Sequence, residues 1–207
     1  MRIMTWYSPG QKDKPAILFF HGNAGQISGF AKHFDPFIKQ GYSVLIMEYR
    51  GVGNTSGVLE EETVLNDAVV AFDFLKQNGH ERIVFYGYSF GTAVAMGLTG
   101  KRTPSAIVLT APFYSLERVV KEKPVPFASF VLKNKFLSHE HMVNIHSPLL
   151  IIHGKKDQLI PFVHGRDLFE LAPVKQKQIY LLEEETHSSI FFKEADVPLI
   201  LKFLEEI

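Results

Sequence analysis

One stretch of the chain, residues 82–97, decides the fold and reads RIVFYGYSFGTAVAMG. Its first part, residues 82–86, is a short and largely apolar run, which is typical of a strand covered on both faces of a parallel sheet. Its last part, residues 91–97, is rich in small side chains and predicts a helix that packs closely on that sheet. Between the two lies Gly87-Tyr88-Ser89-Phe90-Gly91, which predicts a tight turn with a serine at its apex.

Ser89 is the candidate nucleophile on this turn. The pattern Gly-x-Ser-x-Gly alone is weak, because about one random chain in fifteen of this length would contain it. Its place between a strand and a helix makes it informative, since flanking glycines let neighbouring chain approach a strained serine without Cβ clashes. The alternative is a glycine-rich turn with no chemical role.

Five further apolar runs extend the prediction outward from this stretch. They predict strands at residues 16–20, 43–47, 106–109, 149–152 and 178–182. Apolar stripes at helical spacing alternate with them, near residues 30–38, 65–75 and 197–204. We therefore expect an α/β fold with a doubly wound, mostly parallel sheet of about six to seven strands, which binds ligands beyond the carboxyl ends of its strands.

Length and patterning predict a single domain, residues 1–207. Residues 117–147 break the alternation of strands and helices, and they carry Pro124, Pro126 and scattered apolar side chains. We interpret them as a short helical cap insertion over the carboxyl edge of the sheet.

The composition argues against several functional classes. Basic and acidic side chains balance at 22 each, which lacks the positive charge that nucleic-acid binding usually needs. The absence of cysteine excludes a disulfide scaffold, a thiolate zinc site and a cysteine nucleophile. The first residues show no apolar signal region, and no run of 18 apolar residues occurs, so we expect no membrane span and a cytoplasmic location.

His187 is the preferred general base among nine histidines, because it follows the last predicted strand in a loop that returns to the carboxyl edge. A serine hydroxyl needs such a base, and the base needs a carboxylate to orient it. His33, His80 and His164 lie in helical or helix-end patterns and are expected to be solvated. Three more histidines in or beside the insertion resemble a metal cluster, but they lack an acidic ligand at a recognisable spacing, so no metal site is predicted: His139, His141 and His146.

Asp157 is the candidate acid, because it leaves the strand at residues 149–152 by a short glycine-containing loop. Asp67, Asp73 and Asp167 fall within helical patterns and are expected to be solvated charges. The alternative for Asp157 is a turn residue or helix cap. The chain order of Ser89, Asp157 and His187 is the one expected for a nucleophile elbow on this kind of sheet.

Two main-chain N–H groups are predicted to form an oxyanion hole. One belongs to Phe90, at the N-terminus of the helix after Ser89, where the helix dipole also favours negative charge. The second is assigned to Asn23, with Ala24 as the fallback, in the loop after the strand at residues 16–20. His21 in that loop is expected to be a structural hydrogen-bonding residue. A separate glycine-rich segment, residues 51–57, departs from the dinucleotide-binding spacing and is interpreted as a crossover loop.

Taken together, the loop motifs resemble the α/β-hydrolase superfamily over about residues 6–207. The motifs are His21-Gly22-Asn23-Ala24-Gly25, Tyr49-Arg50-Gly51-x-Gly53, Gly87-Tyr88-Ser89-Phe90-Gly91, Ile152-His153-Gly154-Lys155-Lys156-Asp157 and Thr186-His187. The first of these motifs, in which Asn23-Ala24 follows His21-Gly22, is similar to that of small serine hydrolases with a minimal cap, some of which are esterases or acyl-protein thioesterases. The resemblance implies Ser89 as nucleophile, His187 as base, Asp157 as acid, and the Phe90 and Asn23 N–H groups as oxyanion donors.

Two departures from the family pattern stand out. Glu48 occupies the place of a common aspartate and is interpreted as structural. Family members normally have one or two more strands before the His-Gly loop, and here only residues 3–7 could supply any of them, so either the sheet is short at one edge or upstream sequence is missing.

The expected activity is hydrolysis of carboxylic esters or thioesters through an acyl-enzyme, with neither a metal nor an organic cofactor. Dehalogenase and epoxide-hydrolase chemistry need a carboxylate nucleophile, which a serine at position 89 does not provide. The alternatives are an amide, peptide or carbon–carbon bond hydrolase on the same triad, and a catalytically silent hydrolase fold that serves as a binding module.

A small-molecule ester with an apolar acyl group of short to medium length is the expected substrate. If the insertion covers the site, six apolar side chains would line it: Phe113, Phe127, Phe130, Phe136, Leu159 and Ile160. The alternative is that these side chains only hold the insertion onto the body of the protein.

Overall fold

The computed structural model describes residues 3–23, 27–52, 55–122 and 133–207. Its strands are β1 (Thr5–Ser8), β2 (Ala16–Phe20), β3 (Ser43–Met47), β4 (Ile83–Tyr88), β5 (Ala106–Thr110), β6 (Leu149–Gly154) and β7 (Lys177–Leu182). Over the described residues they form one seven-stranded sheet in the order β1-β3-β2-β4-β5-β6-β7. Only the β1–β3 pairing is antiparallel among these seven strands, so the mostly parallel α/β sheet predicted from the sequence is confirmed.

Helices cover both faces of this sheet. They are α1 (Ile27–Ala31), a 3-10 turn (Lys32–Phe34), α2 (Asp35–Lys39), α3 (Glu61–Gln77), α4 (Phe90–Thr99), α5 (Leu116–Glu122), α6 (Ser138–Met142), α7 (Val163–Leu171), α8 (Ser189–Phe192) and α9 (Val197–Glu205). No helix in the described ranges is long and apolar enough to cross a membrane.

The strands read as continuous apolar runs because their alternate side chains enter two different cores. Leu18 and Phe20 of β2 pack with α3 and α4 on one face. Ile17 and Phe19 of the same strand pack with the aromatic side chains of α1, α2 and α9 on the other face. A strand covered on both faces has no polar side to show in the sequence.

The six predicted strands are present, and the pattern near residues 30–38 is the part that differs most from expectation. Instead of one helix, this segment contains α1, the 3-10 turn and α2 in succession. Pro36 lies in the first turn of α2, where a residue without an N–H group is tolerated, and a proline there favours a new helical start. Gly41, after α2, has a φ of +87°, as a helix-ending glycine requires.

A segment within the predicted insertion, residues 134–136, is held on the N-terminus of α3. The Oδ1 atom of the buried Asn134 accepts a hydrogen bond of 2.7 Å from the Glu61 N–H. In return, the Glu61 carboxylate accepts the N–H groups of Lys135 (2.9 Å) and Phe136 (3.1 Å). Helices α5 and α6 fall within residues 116–142, whereas residues 123–132 lie outside the described part, so the cap boundaries at residues 117 and 147 stay a prediction.

Replacing Asn134 with alanine is expected to lower the free energy of unfolding by about 1 kcal/mol, the usual effect of losing a helix cap. The first N–H groups of a helix have no partner within the helix, and Asn134 supplies one from a distant part of the chain. Chemical denaturation measures the change. Asn78→Ala, at the exposed other end of α3, is the matched control, and an equal loss in both variants would contradict the capping role.

Three histidines expected to be solvated are instead buried, and that expectation was wrong. His33 hydrogen-bonds to the Phe191 carbonyl, His80 to the Tyr7 hydroxyl, and His164 accepts the Tyr114 N–H and contacts Glu122. Each imidazole hydrogen-bonds to a group that is distant in the sequence, so at least one of its ring nitrogens has a hydrogen-bond partner despite the burial.

Asp67 was also wrongly expected to be solvated. Its carboxylate is buried on α3 and binds the Arg50 guanidinium with two hydrogen bonds, of 2.6 and 2.5 Å. Asp73 and Asp167 remain partly exposed, and each pairs with an arginine. Bidentate pairing with arginine compensates for the removal of Asp67 from water.

Candidate active site

Ser89 lies at the sharp turn between β4 and α4. Its φ of +53° and ψ of −118° place a non-glycine residue in a conformation that L-amino acids rarely adopt. The surrounding backbone fixes this geometry: the Ser89 N–H donates to the Thr110 carbonyl (3.0 Å), and the Ser89 carbonyl accepts the Thr92 N–H (3.0 Å). The strained turn therefore presents the Ser89 side chain at the carboxyl edge of the sheet.

The two glycines of the pentapeptide are required by close packing. A Cβ atom on Gly91 would lie 1.9 Å from the Phe20 carbonyl oxygen, and one on Gly87 would lie 2.5 Å from the Thr92 Cα. Real Cβ atoms do not approach backbone atoms so closely. The turn can therefore seat α4 against the end of β2 only if both positions lack a side chain.

Ser89, His187 and Asp157 come together at this edge although they are far apart in the sequence. The Ser89 Oγ lies 2.8 Å from the His187 Nε2, and the His187 Nδ1 lies 2.7 Å from the Asp157 Oδ2. With the proton of a neutral imidazole on Nδ1, Nε2 is free to accept the serine hydroxyl. The arrangement can thus move a proton from Ser89 to His187 while a carboxylate faces the resulting positive charge.

The Asp157 carboxylate is held in its ionised form. Burial alone would raise its pKa, but hydrogen bonds from His153 and His187 and from the Ile160 N–H hold the pKa well below its ordinary value. Its Oδ1 also accepts the Leu159 and Ile160 N–H groups, at 2.9 and 2.8 Å. Asp157 therefore also serves as the turn residue that the alternative interpretation expected.

Sequence reasoning missed the contribution of Tyr88. Its hydroxyl donates a 3.0 Å hydrogen bond to the His187 carbonyl, and its ring stacks on Phe191 of α8. Burial raises the pKa of Tyr88 above its ordinary value, so the hydroxyl keeps the proton that it donates. The pentapeptide allows any residue at this position, so the motif gave no signal for the role.

His153 was also missed, although it belongs to the quoted motif at the end of β6. It is buried, its Nε2 donates to the Ile160 carbonyl (2.9 Å), and the same atom lies 3.4 Å from the Asp157 Oδ2. The His153 imidazole therefore links the two ends of the loop at residues 154–160 and lies against the Asp157 carboxylate.

The predicted oxyanion donors stay a prediction. Phe90 is the first residue of α4, where main-chain N–H groups lack partners within the helix and the dipole favours an anion. Asn23 is exposed in the loop after β2, while Ala24, the fallback, lies outside the described residues. The buried His21, which precedes this loop, contacts Glu48 (Nε2–Oε1 2.8 Å). The Glu48 carboxylate also accepts the N–H of Ile27, which follows the loop, at 3.1 Å. Glu48 therefore holds the residues on both sides of the loop.

Four surface clefts among the described residues have volumes of about 410 to 670 Å³, and the one beside His187 is about 670 Å³. Its walls are formed by Lys155, Lys156, Asp157, Gln158, Leu159, Thr186, His187 and Ser188. Leu159 is the predicted acyl-contact residue that this cleft contains, and 48% of its surface is exposed.

The other predicted pocket residues lie elsewhere or outside the described ranges. Phe113, Phe136 and Ile160 are 2%, 2% and 4% exposed and belong to a hydrophobic core. Phe136 packs edge-on against Phe90, with 4.9 Å between ring centroids, which favours a role in holding the segment onto the body. Phe127 and Phe130 lie outside the described residues, so the acyl pocket as a whole stays a prediction.

The remaining histidines form no metal centre in the part of the chain that the structure describes. His139 stacks on Tyr114 with 4.4 Å between ring centroids, and its Nδ1 lies 3.2 Å from the Tyr114 carbonyl. This contact gives His139 a packing role between α6 and the loop after β5.

Comparison with known proteins identifies the family. A family model described as "Serine aminopeptidase, S33" matches residues 11–140. The chain belongs to this family. It is thus a member of a serine hydrolase family within the α/β-hydrolase superfamily, and the resemblance found from the motifs is confirmed.

Curated relatives of this family member include lipases. The chain is 35% identical to an uncharacterized protein of Mycobacterium tuberculosis over 188 residues, which cover 86% of this chain and 66% of that protein. It is 32% identical to the lysophosphatidylserine lipase ABHD12 of Rattus norvegicus over 190 residues, which cover 81% of this chain and 48% of the lipase. The chain therefore spans about half to two thirds of the length of these relatives.

Solved structures of two hydrolases share the fold of this chain. A monoacylglycerol lipase of Paleococcus ferrophilus superposes with a TM-score of 0.77 at 15% identity, covering 100% of each chain. An esterase of Exiguobacterium antarcticum gives a TM-score of 0.76 at 15% identity, covering 98% of this chain and 95% of the esterase. At such low identity these likenesses establish the architecture alone.

Proposed function

We propose that this protein hydrolyses carboxylic esters of apolar acyl groups through an acyl-enzyme formed on Ser89. The observation that carries the proposal is the continuous hydrogen-bond chain from the Ser89 hydroxyl through His187 to the buried Asp157, with distances of 2.8 and 2.7 Å. These are the contacts that activate a serine hydroxyl for attack on a carbonyl carbon.

The first half of the reaction forms the acyl-enzyme. His187 Nε2 takes the hydroxyl proton as Ser89 Oγ attacks the ester carbonyl, and the ionised Asp157 stabilises the imidazolium. The N–H groups of Phe90 and Asn23 are the proposed donors to the oxygen on which negative charge develops. His187 then gives its proton to the leaving alcohol, and the acyl group remains on Ser89.

The second half reverses these roles with water. His187 removes a proton from a water molecule as that water attacks the acyl-enzyme, and it returns the proton to Ser89 Oγ when the carboxylic acid leaves. No step requires a group beyond these side chains, two main-chain N–H groups and water.

A lipid-derived monoacyl ester is the substrate class that we favour. The relatives include a lysophosphatidylserine lipase, and a monoacylglycerol lipase shares the fold. The cleft beside His187 is open and presents the apolar side chain of Leu159 together with polar groups, which suits an acyl chain that carries a polar head.

A substrate panel tests the proposal. We expect p-nitrophenyl esters and a monoacylglycerol to be hydrolysed, with acyl chains longer than acetate preferred, whereas matched anilides react far more slowly. The matched thioesters decide between ester and thioester preference. Cleavage of anilides faster than esters would overturn the proposal in favour of an amidase, and preference for acetate over every longer chain would contradict an apolar acyl group.

A further inference from the structure

A buried polar cluster lies beneath the Ser89 turn and takes no part in the chemistry described so far. It consists of Tyr86, Thr110, His33 and Asp196, all of which are buried. They come from four different elements: β4, β5, the 3-10 turn at residues 32–34, and the residue that precedes α9. A cluster that joins these elements joins the parts of the fold that hold the candidate active site.

The hydrogen bonds of Asp196 leave one of its oxygens unsatisfied. The Tyr86 hydroxyl donates to the Asp196 Oδ2 at 2.6 Å, and the Thr110 hydroxyl donates to the same oxygen at 3.0 Å. The Asp196 Oδ1 is buried and has no hydrogen-bond partner among the described residues. An unpaired oxygen of a buried carboxylate is costly, so this arrangement needs a physical explanation.

His33 is the group that faces this unsatisfied oxygen. Its Nδ1 lies 3.2 Å from the Phe191 carbonyl, which can only accept, so Nδ1 carries the proton of the neutral ring. The His33 Nε2 then carries a lone pair. It lies 3.2 Å from the Tyr86 hydroxyl, whose proton goes to the closer Asp196 Oδ2 at 2.6 Å, and 3.7 Å from the Asp196 Oδ1. Two acceptors would face each other across this gap, whereas a proton on Oδ1 removes the repulsion between their lone pairs and directs the carboxyl O–H toward Nε2.

The electrostatic environment favours a proton on the carboxyl rather than on the imidazole. Burial raises the pKa of Asp196 to about 7, although the Tyr86 and Thr110 hydroxyls oppose the shift. Burial lowers the pKa of His33 to about 3. Of the other titratable groups near Asp196, Glu194 adds to the rise through its negative charge, and Tyr88 keeps its proton.

We propose that Asp196 and His33 share one proton and that Asp196 is a positioning residue for His187. The proposal rests on the proposed function, because it concerns how that site is held together. Asp196 ends the segment that begins at His187, and its N–H donates to the Ile190 carbonyl within that segment. Through Tyr86 it binds the strand that leads to Ser89, and through Thr110 it binds the residue whose carbonyl accepts the Ser89 N–H.

The neutral pair gives this connection a definite pH dependence. With the proton present, the two facing lone pairs no longer repel each other, and the segment from His187 to Asp196 is fixed on the sheet. As the pH rises through the raised pKa of Asp196, the carboxylate faces the His33 lone pair and the segment loosens. The expected consequence is a loss of kcat above neutral pH with little change in KM.

Three variants test the proposal. Asp196→Asn resembles the protonated acid, since its amide can donate to His33 Nε2 and accept from Tyr86 and Thr110, so we expect a kcat close to wild type and no loss of activity above neutral pH. Asp196→Ala removes the connection and is expected to lower kcat by about 10- to 100-fold at every pH, the effect of a small misplacement of a reacting group. Asp73→Asn, a partly exposed aspartate on α3, is the matched control and should follow the wild-type profile.

A readout independent of activity keeps the test decisive. Infrared difference spectra between wild type and Asp196→Asn should show the carbonyl band of a protonated carboxylic acid below pH 7, and the band should disappear as the pH rises. Thr110→Val removes a donor to the ionised form, so it should move this disappearance to higher pH, even if Asp196→Ala does not fold.

Several outcomes would overturn the proposal. Absence of the protonated-acid band, or superimposable pH profiles of wild type and Asp196→Asn, would exclude the shared proton. A folded Asp196→Ala variant with unchanged kcat would exclude the positioning role. An inactive wild type that still shows the titrating band would instead contradict the proposed function, so the two failures are distinguishable.

Discussion

Replacing Ser89 with alanine is expected to reduce kcat for ester hydrolysis by about 10⁴- to 10⁶-fold, which is the range for loss of a serine nucleophile. The hydroxyl that His187 contacts at 2.8 Å is the atom that would form the acyl bond, and no other group in the described site replaces it. Steady-state kinetics on the preferred p-nitrophenyl ester measures the loss. The fold should be retained, because the strained backbone at position 89 is held by main-chain hydrogen bonds.

Labelling with a fluorophosphonate gives a second measurement of the same change. Intact mass should show one adduct on the wild type and none on Ser89→Ala. Ser56→Ala, which changes an exposed serine, is the matched control and should label like the wild type. A wild type that takes no label and hydrolyses no substrate would favour a catalytically silent fold.

Asp157→Asn is expected to lower kcat by about 10³- to 10⁴-fold with a small effect on KM. An amide in place of the carboxylate can donate to the His187 Nδ1, which favours the tautomer with its proton on Nε2. That tautomer cannot accept the proton of Ser89, and the imidazolium also loses its facing negative charge. The measurement is kcat and KM across pH, together with the rate of fluorophosphonate labelling.

The control for this variant is Asp13→Asn, at an exposed aspartate between β1 and β2. It should leave both kinetic constants at their wild-type values. An Asp157→Asn enzyme with nearly normal kcat would mean that another acid orients His187, and the proposed roles would then need to be reassigned.

The sequence contains enough information for the sheet and for the meeting of Ser89, Asp157 and His187. Buried parallel strands must be apolar on both sides, so their positions are visible as short uninterrupted runs. Loops that follow such strands end at one edge of the sheet, which is why three residues separated by up to 98 positions could be placed together. Tight turns also limit their residues, as the glycines on either side of Ser89 illustrate.

Polar residues on helices were the part that the sequence did not reveal. His33 and Asp67 occupy helical or helix-end patterns, and such residues are usually solvated. Whether a polar side chain is buried depends on a partner that can come from any part of the chain, as when His33 hydrogen-bonds to a carbonyl 158 positions away. The sequence pattern around a residue does not indicate such a distant partner, so the cluster around Asp196 could not be predicted.

The acyl pocket stays a prediction for a related reason. Apolar side chains such as Phe113 and Phe136 are reliably predicted to leave water, but a core and a binding cleft both accept them. Distinguishing the two requires knowing which surfaces remain open after packing, and only the three-dimensional arrangement supplies this.

The close approach of Gly91 to the Phe20 carbonyl oxygen lets a mutant library distinguish the requirements of folding from those of catalysis. No residue with a side chain fits there, so selection for soluble protein alone should retain glycine at this codon. Ser89 is under no such steric demand. In a saturation screen, enrichment of glycine at 91 therefore reports on foldability, whereas enrichment of serine at 89 appears only when hydrolysis itself is selected.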